Sequence, residues 1–197
     1  MSAAPTLPGL LKEARACRVC AAHLPLGPRP VVRMKPGARL LIIGQAPGTK
    51  VHESGIPWND RSGDRLRDWL ALDRDSFYDE SRVAIMPMGF CYPGVDNKGG
   101  DRPPRPECAP LWHARLLALL PEVALTLLVG QYAQAYYLKN NRRDSMTETV
   151  RAFAGYLPAY LPLPHPSWRN TGWLKKNGWF EAELLPVLRN GVHCLVR

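Results

Sequence analysis

The sequence has no apolar run long enough to cross a bilayer, which excludes a membrane-spanning helix. It has no basic start followed by an uninterrupted apolar stretch. MSAAPTLPGLLKEARACRVC mixes charge with apolar residues early, so no signal peptide is expected, and the expected location is the cytoplasm. It has no even set of cysteines. Five are present, Cys17, Cys20, Cys91, Cys108 and Cys194, and an odd count in such a chain argues against a disulfide framework. No internal repeat is present. Acidic residues are scarce beside basic ones, 17 against 26, giving a net charge of +9. That balance favours a polyanionic partner, usually nucleic acid.

What is present suits one domain over residues 1–197, long enough to bury a single core. Four short apolar segments end at or beside Gly or Pro: Ala38–Gly44, Arg82–Met88, Ala124–Gly130 and Ala159–Pro164. Buried parallel strands have this character, although internal prolines weaken the second and fourth. Helical patterns lie between them. Leu10, Leu11, Ala14 and Cys17 share a face, Ser62–Leu72 follows with Ser62 as its expected N-cap, then Pro106–Leu120 and finally Asn177–Leu188. Strand and helix alternate. The expected fold is therefore α/β, a three-layer α/β/α sandwich around a short, mainly parallel four-stranded sheet.

The unusual residues follow the carboxyl ends of the strands: GQAPG after the first, GFCYPG after the second, GQ after the third, HPS after the fourth. Open α/β sheets place ligand sites along that edge, so one composite site is expected. The Pro/Gly-rich piece Tyr92–Pro110 reads as a long functional loop rather than a linker, and Asn140–Thr147 as a polar, basic loop.

Gly44-Gln45-Ala46-Pro47-Gly48 begins where the first strand stops, and its glycines let backbone N–H groups approach a ligand. It continues through Gly55-Ile56-Pro57-Trp58 to Arg61-Ser62-Gly63. In this run the sequence resembles the uracil-DNA glycosylase superfamily, closest to its family-4, iron–sulfur-bearing branch, whose motif reads GEAPG followed by G-x-P-aromatic and S-G. His165-Pro166-Ser167 resembles the superfamily's HPS motif, and RPPRPEC before a helix resembles the branch's Pro-rich loop. The likeness runs from Cys17 to the last helix.

The resemblance implies a ligand set. Cys17 and Cys20 form a C-x-x-C pair, and Cys91 and Cys108 stand where the branch has its other two cysteines. Four thiolates are the usual ligands of a 4Fe–4S cluster, and they also bind zinc tetrahedrally. By resemblance the cluster is expected, with zinc the lesser alternative, in a structural role. Cys194 is expected to be a bystander.

The resemblance also implies an activity: excision of a damaged, deaminated base from DNA after the base is flipped out of the stack. Trp58 would stack on the flipped base, and Gly44, Ala46, Pro47 and Gly48 would line its pocket. His165 would donate to the charge developing on the leaving base. Ser62, Ser167, Trp168, Arg169, Asn170 and Lys175 would grip DNA, one residue of the HPS loop entering the space the base leaves. For Trp179 and Phe180, core packing is the expected role.

Two departures qualify this. Gln45 replaces the branch's Glu, and Ala46 stands where another branch carries a catalytic Asp, so His52 with Gln45 is the expected water handler, with Glu53 and Asp60 as fallbacks. Met86–Phe90 has no amide side chain where many relatives read the base edge, so discrimination against other bases is expected to weaken. Uracil is the default substrate. The expectation is a monomeric, monofunctional glycosylase acting on DNA containing a damaged base, with no membrane association. The rival is a non-hydrolytic or covalently trapping damage binder on the same fold.

Overall fold

The structure is a computed structural model and describes residues 4–97 and 99–196. Its chain order is α1 (Leu7–Arg15), β1 (Leu40–Ile43), α2 (Thr49–Ser54), α3 (Arg61–Leu70), α4 (Arg74–Tyr78), β2 (Val83–Ile85), α5 (Cys108–Leu117), β3 (Leu125–Val129), α6 (Gln131–Leu138), α7 (Met146–Arg151), β4 (Tyr160–Leu163), α8 (Thr171–Lys176) and α9 (Leu185–Val196), with short 3-10 turns between some of them. Among the described residues, no helix is long and apolar enough to cross a membrane.

The four expected strands form one sheet in the order β2-β1-β3-β4. All three strand pairings are parallel, and one isolated antiparallel bridge, Arg33 with Ile85, adds to the β2 edge. Prolines set its limits. β2 stops before Pro87, while Pro162 lies inside β4, at the sheet edge where one side of a strand needs no N–H donor.

Side chains alternate across a strand, so each face of the sheet has its own core. Leu41, Ile43, Ala84, Met86 and Leu128 pack under α1, α5 and α6. Leu40, Ile42, Val83, Leu127 and Leu161 pack under α3, α4 and α9. Each fully buried leucine or isoleucine contributes roughly 1.5–3 kcal/mol. Helices therefore cover both faces, and the α/β/α layering is as expected.

Helix ends differ from expectation. The N-cap of α3 is Asp60, whose Oδ1 accepts from Gly63 N–H at 2.8 Å, and Ser62 sits one residue inside the helix. A carboxylate in extended backbone caps better than a hydroxyl already within the first turn. α5 begins at Cys108, so the Pro-rich loop ends at Glu107 instead of Pro110. The basic loop ends at Ser145, because Ser145 and Glu148 form a reciprocal capping box that starts α7. The last helix runs to Val196, after a π-helical turn at Phe180–Leu184. Pro186 has no N–H to give Ala182, which favours the widened turn just before it.

From β1 the chain first moves outward to β2 and then returns to β3 on the other side. β1 and β3 thus flank the point where the strand order reverses, and the crevice beyond their carboxyl ends is where an open α/β sheet receives a ligand.

Candidate active site

A cleft of about 520 Å³ opens at that edge. Each strand exit contributes to it: Gly44–Gly48 from β1, Pro87 from β2, Gly130 and Gln131 from β3, and His165 and Ser167 from β4. Its size is that of a small-molecule pocket.

Trp58 forms one wall. Its backbone has φ of 57°, a left-handed conformation costly for so large a residue. Two glycines make room for it. A Cβ at Gly63 would lie 1.7 Å from the Trp58 carbonyl oxygen, and one at Gly44 would lie 2.6 Å from Cζ2 of the indole. The S-G and G-Q glycines of the motif therefore serve the tryptophan, one through its backbone and one through its ring.

His165 forms the opposite corner, with its ring centroid 5.6 Å from that of Trp58 and the planes inclined by 35°. Loss of water around the imidazole lowers its pKa below the usual 6.5, with Asp60 and Asp101 pulling the other way. A neutral ring at pH 7 follows. Asn170 Nδ2 donates to the His165 carbonyl at 2.7 Å and pins the loop.

Most residues expected at the site do line this cleft: Gly44, Gln45, Ala46, Pro47, Gly48, Trp58, Ser62, His165, Ser167, Trp168, Arg169 and Asn170. Their conditions differ. Gln45 Nε2 donates to Arg102 O at 3.4 Å, a bond that a glutamate could not make. Trp168 is 75% exposed at the rim, with the Arg169 guanidinium over its ring. Arg169 also reaches across to donate to Gly99 O at 3.0 Å. His52 and Lys175 are not in the lining. His52 lies on α2 with its ring toward Tyr92, 6.0 Å between centroids, and its Nδ1 is buried without a partner among the described residues. Lys175 is exposed on α8. Of the fallback carboxylates, Asp60 lines the cleft and Glu53 does not.

Several residues escaped the sequence reading. Asp101, from the Pro-rich loop, lines the cleft. Arg65 on α3 donates to Ser167 O at 3.0 Å and to Thr171 Oγ1, holding the HPS loop from below. Gln134 is fully buried and donates to both Leu128 O and Leu163 O, tying the ends of β3 and β4. His113 is 1% exposed, with Nδ1 2.6 Å from the Tyr137 hydroxyl and Nε2 3.1 Å from Pro87 O. No short motif marks these four, because each partner lies in another element.

Cys17, Cys20, Cys91 and Cys108 line a second, smaller cavity beside α5. Burial, with the other cysteines adding to it, pushes the Cys91 thiol up to about 11 and that of Cys108 up to about 12. Phe90 N–H donates to Cys108 Sγ at 3.3 Å. Among the described residues, no group of three or more His, Cys, Asp or Glu side chains is arranged as a metal site. Cys194 is exposed and apart from them.

The fold and the cleft define an α/β protein with one composite site beyond a parallel sheet, walled by an indole and an imidazole. The family model described as the uracil DNA glycosylase superfamily matches residues 32–189, and the chain belongs to that superfamily. Its members generally act on DNA as glycosylases. Cys17 and Cys20 precede the matched region.

Proposed function

We infer that this chain is a monofunctional DNA-repair glycosylase of the family-4 type, which flips out a deaminated base, uracil by default, and hydrolyses its N-glycosidic bond. One observation carries the reading: Trp58 and His165 face one cleft, beside the backbone of the GQAPG loop. The flipped base would stack on the indole. The neutral His165 imidazole would donate to the carbonyl oxygen on which charge grows as the bond to the sugar breaks. Water then adds to the sugar carbon and loses its proton.

We assign that water to Gln45 and Asp60, which line the cleft, ahead of His52, which does not. Trp168, exposed and next to Ser167, is suited to enter the space the base leaves. Arg169 and Lys175 would meet phosphates. Pro87 in the cleft wall offers no amide to read the base edge, which supports a broad choice of deaminated base.

We further propose that Cys17, Cys20, Cys91 and Cys108 hold a 4Fe–4S cluster, with zinc as the lesser alternative. Four sulfur donors around one cavity, with an N–H on one of them, suit a thiophilic centre. The group would contribute a structural staple between the N-terminal segment and the long loop.

A second reading has its own support. Gln45 spends its amide on Arg102 O, and Ala46 has no polar atom to offer. A damage binder that holds a lesion without hydrolysis fits those two positions. The test is an assay on matched oligonucleotides bearing uracil, hypoxanthine, xanthine or no lesion, single- and double-stranded, read as alkali-labile breaks. Breaks at a lesion establish the glycosylase and name its base. Tight lesion binding without breaks establishes the binder.

A further inference from the structure

The turn that presents Trp58 is held from outside the cleft by side chains that the proposed chemistry does not use. Arg67, on α3, is 8% exposed. Its Nη1 donates to the Trp58 carbonyl at 3.3 Å and to the Tyr78 hydroxyl at 3.4 Å, and its Nη2 donates to Asp64 Oδ1. The Tyr78 hydroxyl in turn donates to the Pro57 carbonyl at 2.8 Å. Arg74 Nη2 donates to Asn59 Oδ1 at 2.9 Å. Three consecutive residues, Pro57, Trp58 and Asn59, are thus fastened to α3 and α4.

Such fastening has a physical purpose. Trp58 sits at a φ of 57°, where relaxation to ordinary backbone would swing the indole away from Gly44. A strained residue persists only where its surroundings over-determine it. A buried guanidinium is costly unless its donors are satisfied, and two of the groups that satisfy Arg67 are the Trp58 carbonyl and a hydroxyl already bonded to Pro57. Tyr78 is itself sandwiched by charge: Arg33, Arg67 and Arg74 all lie over its ring within 5.8 Å.

We propose that Arg67 and Tyr78 are positioning residues for base stacking, acting through the Trp58 backbone to hold the indole as a preset platform. The role of that platform rests on the glycosylase reading. The hydrogen bonds themselves do not. A platform set in advance costs no ordering when the base arrives, and loosening it lowers the population of productively stacked base.

The first variant is Tyr78→Phe, which keeps the ring and removes only the hydroxyl. The second is Arg67→Lys. Each is measured alone and in a Trp58→Ala background. On a uracil-containing oligonucleotide, single-turnover rate at saturating protein should fall roughly tenfold for each single variant, the scale of one lost buried hydrogen bond. The half-saturating concentration, set by phosphate contacts, should stay unchanged. In the Trp58→Ala background neither change should cost anything further, because the residue they act through is gone. Equal losses in both backgrounds would overturn the proposal, since a purely structural role is blind to Trp58.

A second measurement needs no DNA. The Trp58 contribution to near-ultraviolet circular dichroism, defined by subtracting the Trp58→Ala spectrum, should weaken in Tyr78→Phe while the far-ultraviolet spectrum holds and Tm falls by only about 2–4 °C. An unaltered contribution would overturn the proposal. A wild-type protein that cleaves no lesion would refute the glycosylase reading, and this spectrum would still decide the placement of the indole.

Discussion

The rings of Trp58 and His165 lie 5.6 Å apart between centroids. A base sandwiched between two parallel rings needs about 7 Å, twice a carbon–carbon contact of roughly 3.5 Å. The two residues therefore do not form a slot. On the glycosylase reading, a base lying on the indole would meet the imidazole at its edge, where a carbonyl oxygen would receive an N–H.

His165→Ala should accordingly lower the excision rate on the order of 10²-fold or more, the scale for one donor to a developing anion. The wild-type rate should hold from about pH 8 to about pH 7, and its acid-side midpoint should lie below the usual imidazole value of 6.5, since loss of water around the ring lowers the pKa. A rate that instead rises steadily as pH drops through that window would make the imidazolium the working form. An unchanged rate in the alanine variant would remove His165 from the site.

Gly44→Ala and Gly63→Ala should fail differently. At Gly44 the added methyl meets the far end of the indole, so the ring moves, activity drops and thermal stability stays near wild type. At Gly63 it meets the Trp58 carbonyl, which has no free rotation to escape, so the protein should lose stability, by about 1–3 kcal/mol in a denaturant titration. Equal stability for the two variants would contradict the close approach at Gly63.

His113 predicts a pH dependence of folding. Burial lowers its pKa from 6.5 to about 4, and its ring faces Tyr137, Tyr136 and the Pro87 carbonyl. The folded-state value is the lower one, so the unfolded chain binds the extra proton between the two values. Stability is full above about pH 6.5 and declines as pH falls toward 4, by on the order of 3 kcal/mol at about 1.36 kcal/mol per unit. His113→Phe should flatten that part of the stability–pH curve. A curve identical to wild type would show that other groups set it.

Protein purified without air should be brown, with broad absorption in the visible blue and about four irons per chain, the content of one such cluster. Cys108→Ser, which removes the thiol that accepts from the Phe90 N–H, should bleach the colour and lower the Tm. A colourless protein carrying zinc would replace the cluster with the lesser alternative.

Much of this was legible along the chain. The four apolar segments became the four strands, and GQAPG, GQ and the His165 and Ser167 of HPS lie around one cleft, while of GFCYPG only Pro93 reaches it and Gly89, Phe90 and Cys91 line the cysteine cavity. Trp58 and His165 could be named by resemblance, because each stands in a motif, G-x-P-aromatic and HPS, that matches the uracil-DNA glycosylases. His52 shows where such reading stops. By resemblance it stands where the branch has an acidic residue after GEAPG, yet the turn of α2 carries its ring toward Tyr92 while Asp60, capping α3, faces the cleft. Ser62 was mistaken for the cap because the Asp60 carboxylate, two residues earlier, takes the Gly63 N–H and starts the helix at Arg61.

Strand identity, layer order and the sequence of motifs are local properties, set by runs of apolar residues and by the glycines and prolines that end them, and the sequence alone determined them. Which polar groups face the cleft and which stand behind it was decided only by tertiary structure. Arg67 reaches Trp58, Arg65 reaches Ser167 and Gln134 reaches Leu163 across gaps in sequence that no periodicity encodes. Helix rotation and packing against a shared sheet fix those meetings, and a buried donor takes whichever acceptor the fold brings within reach.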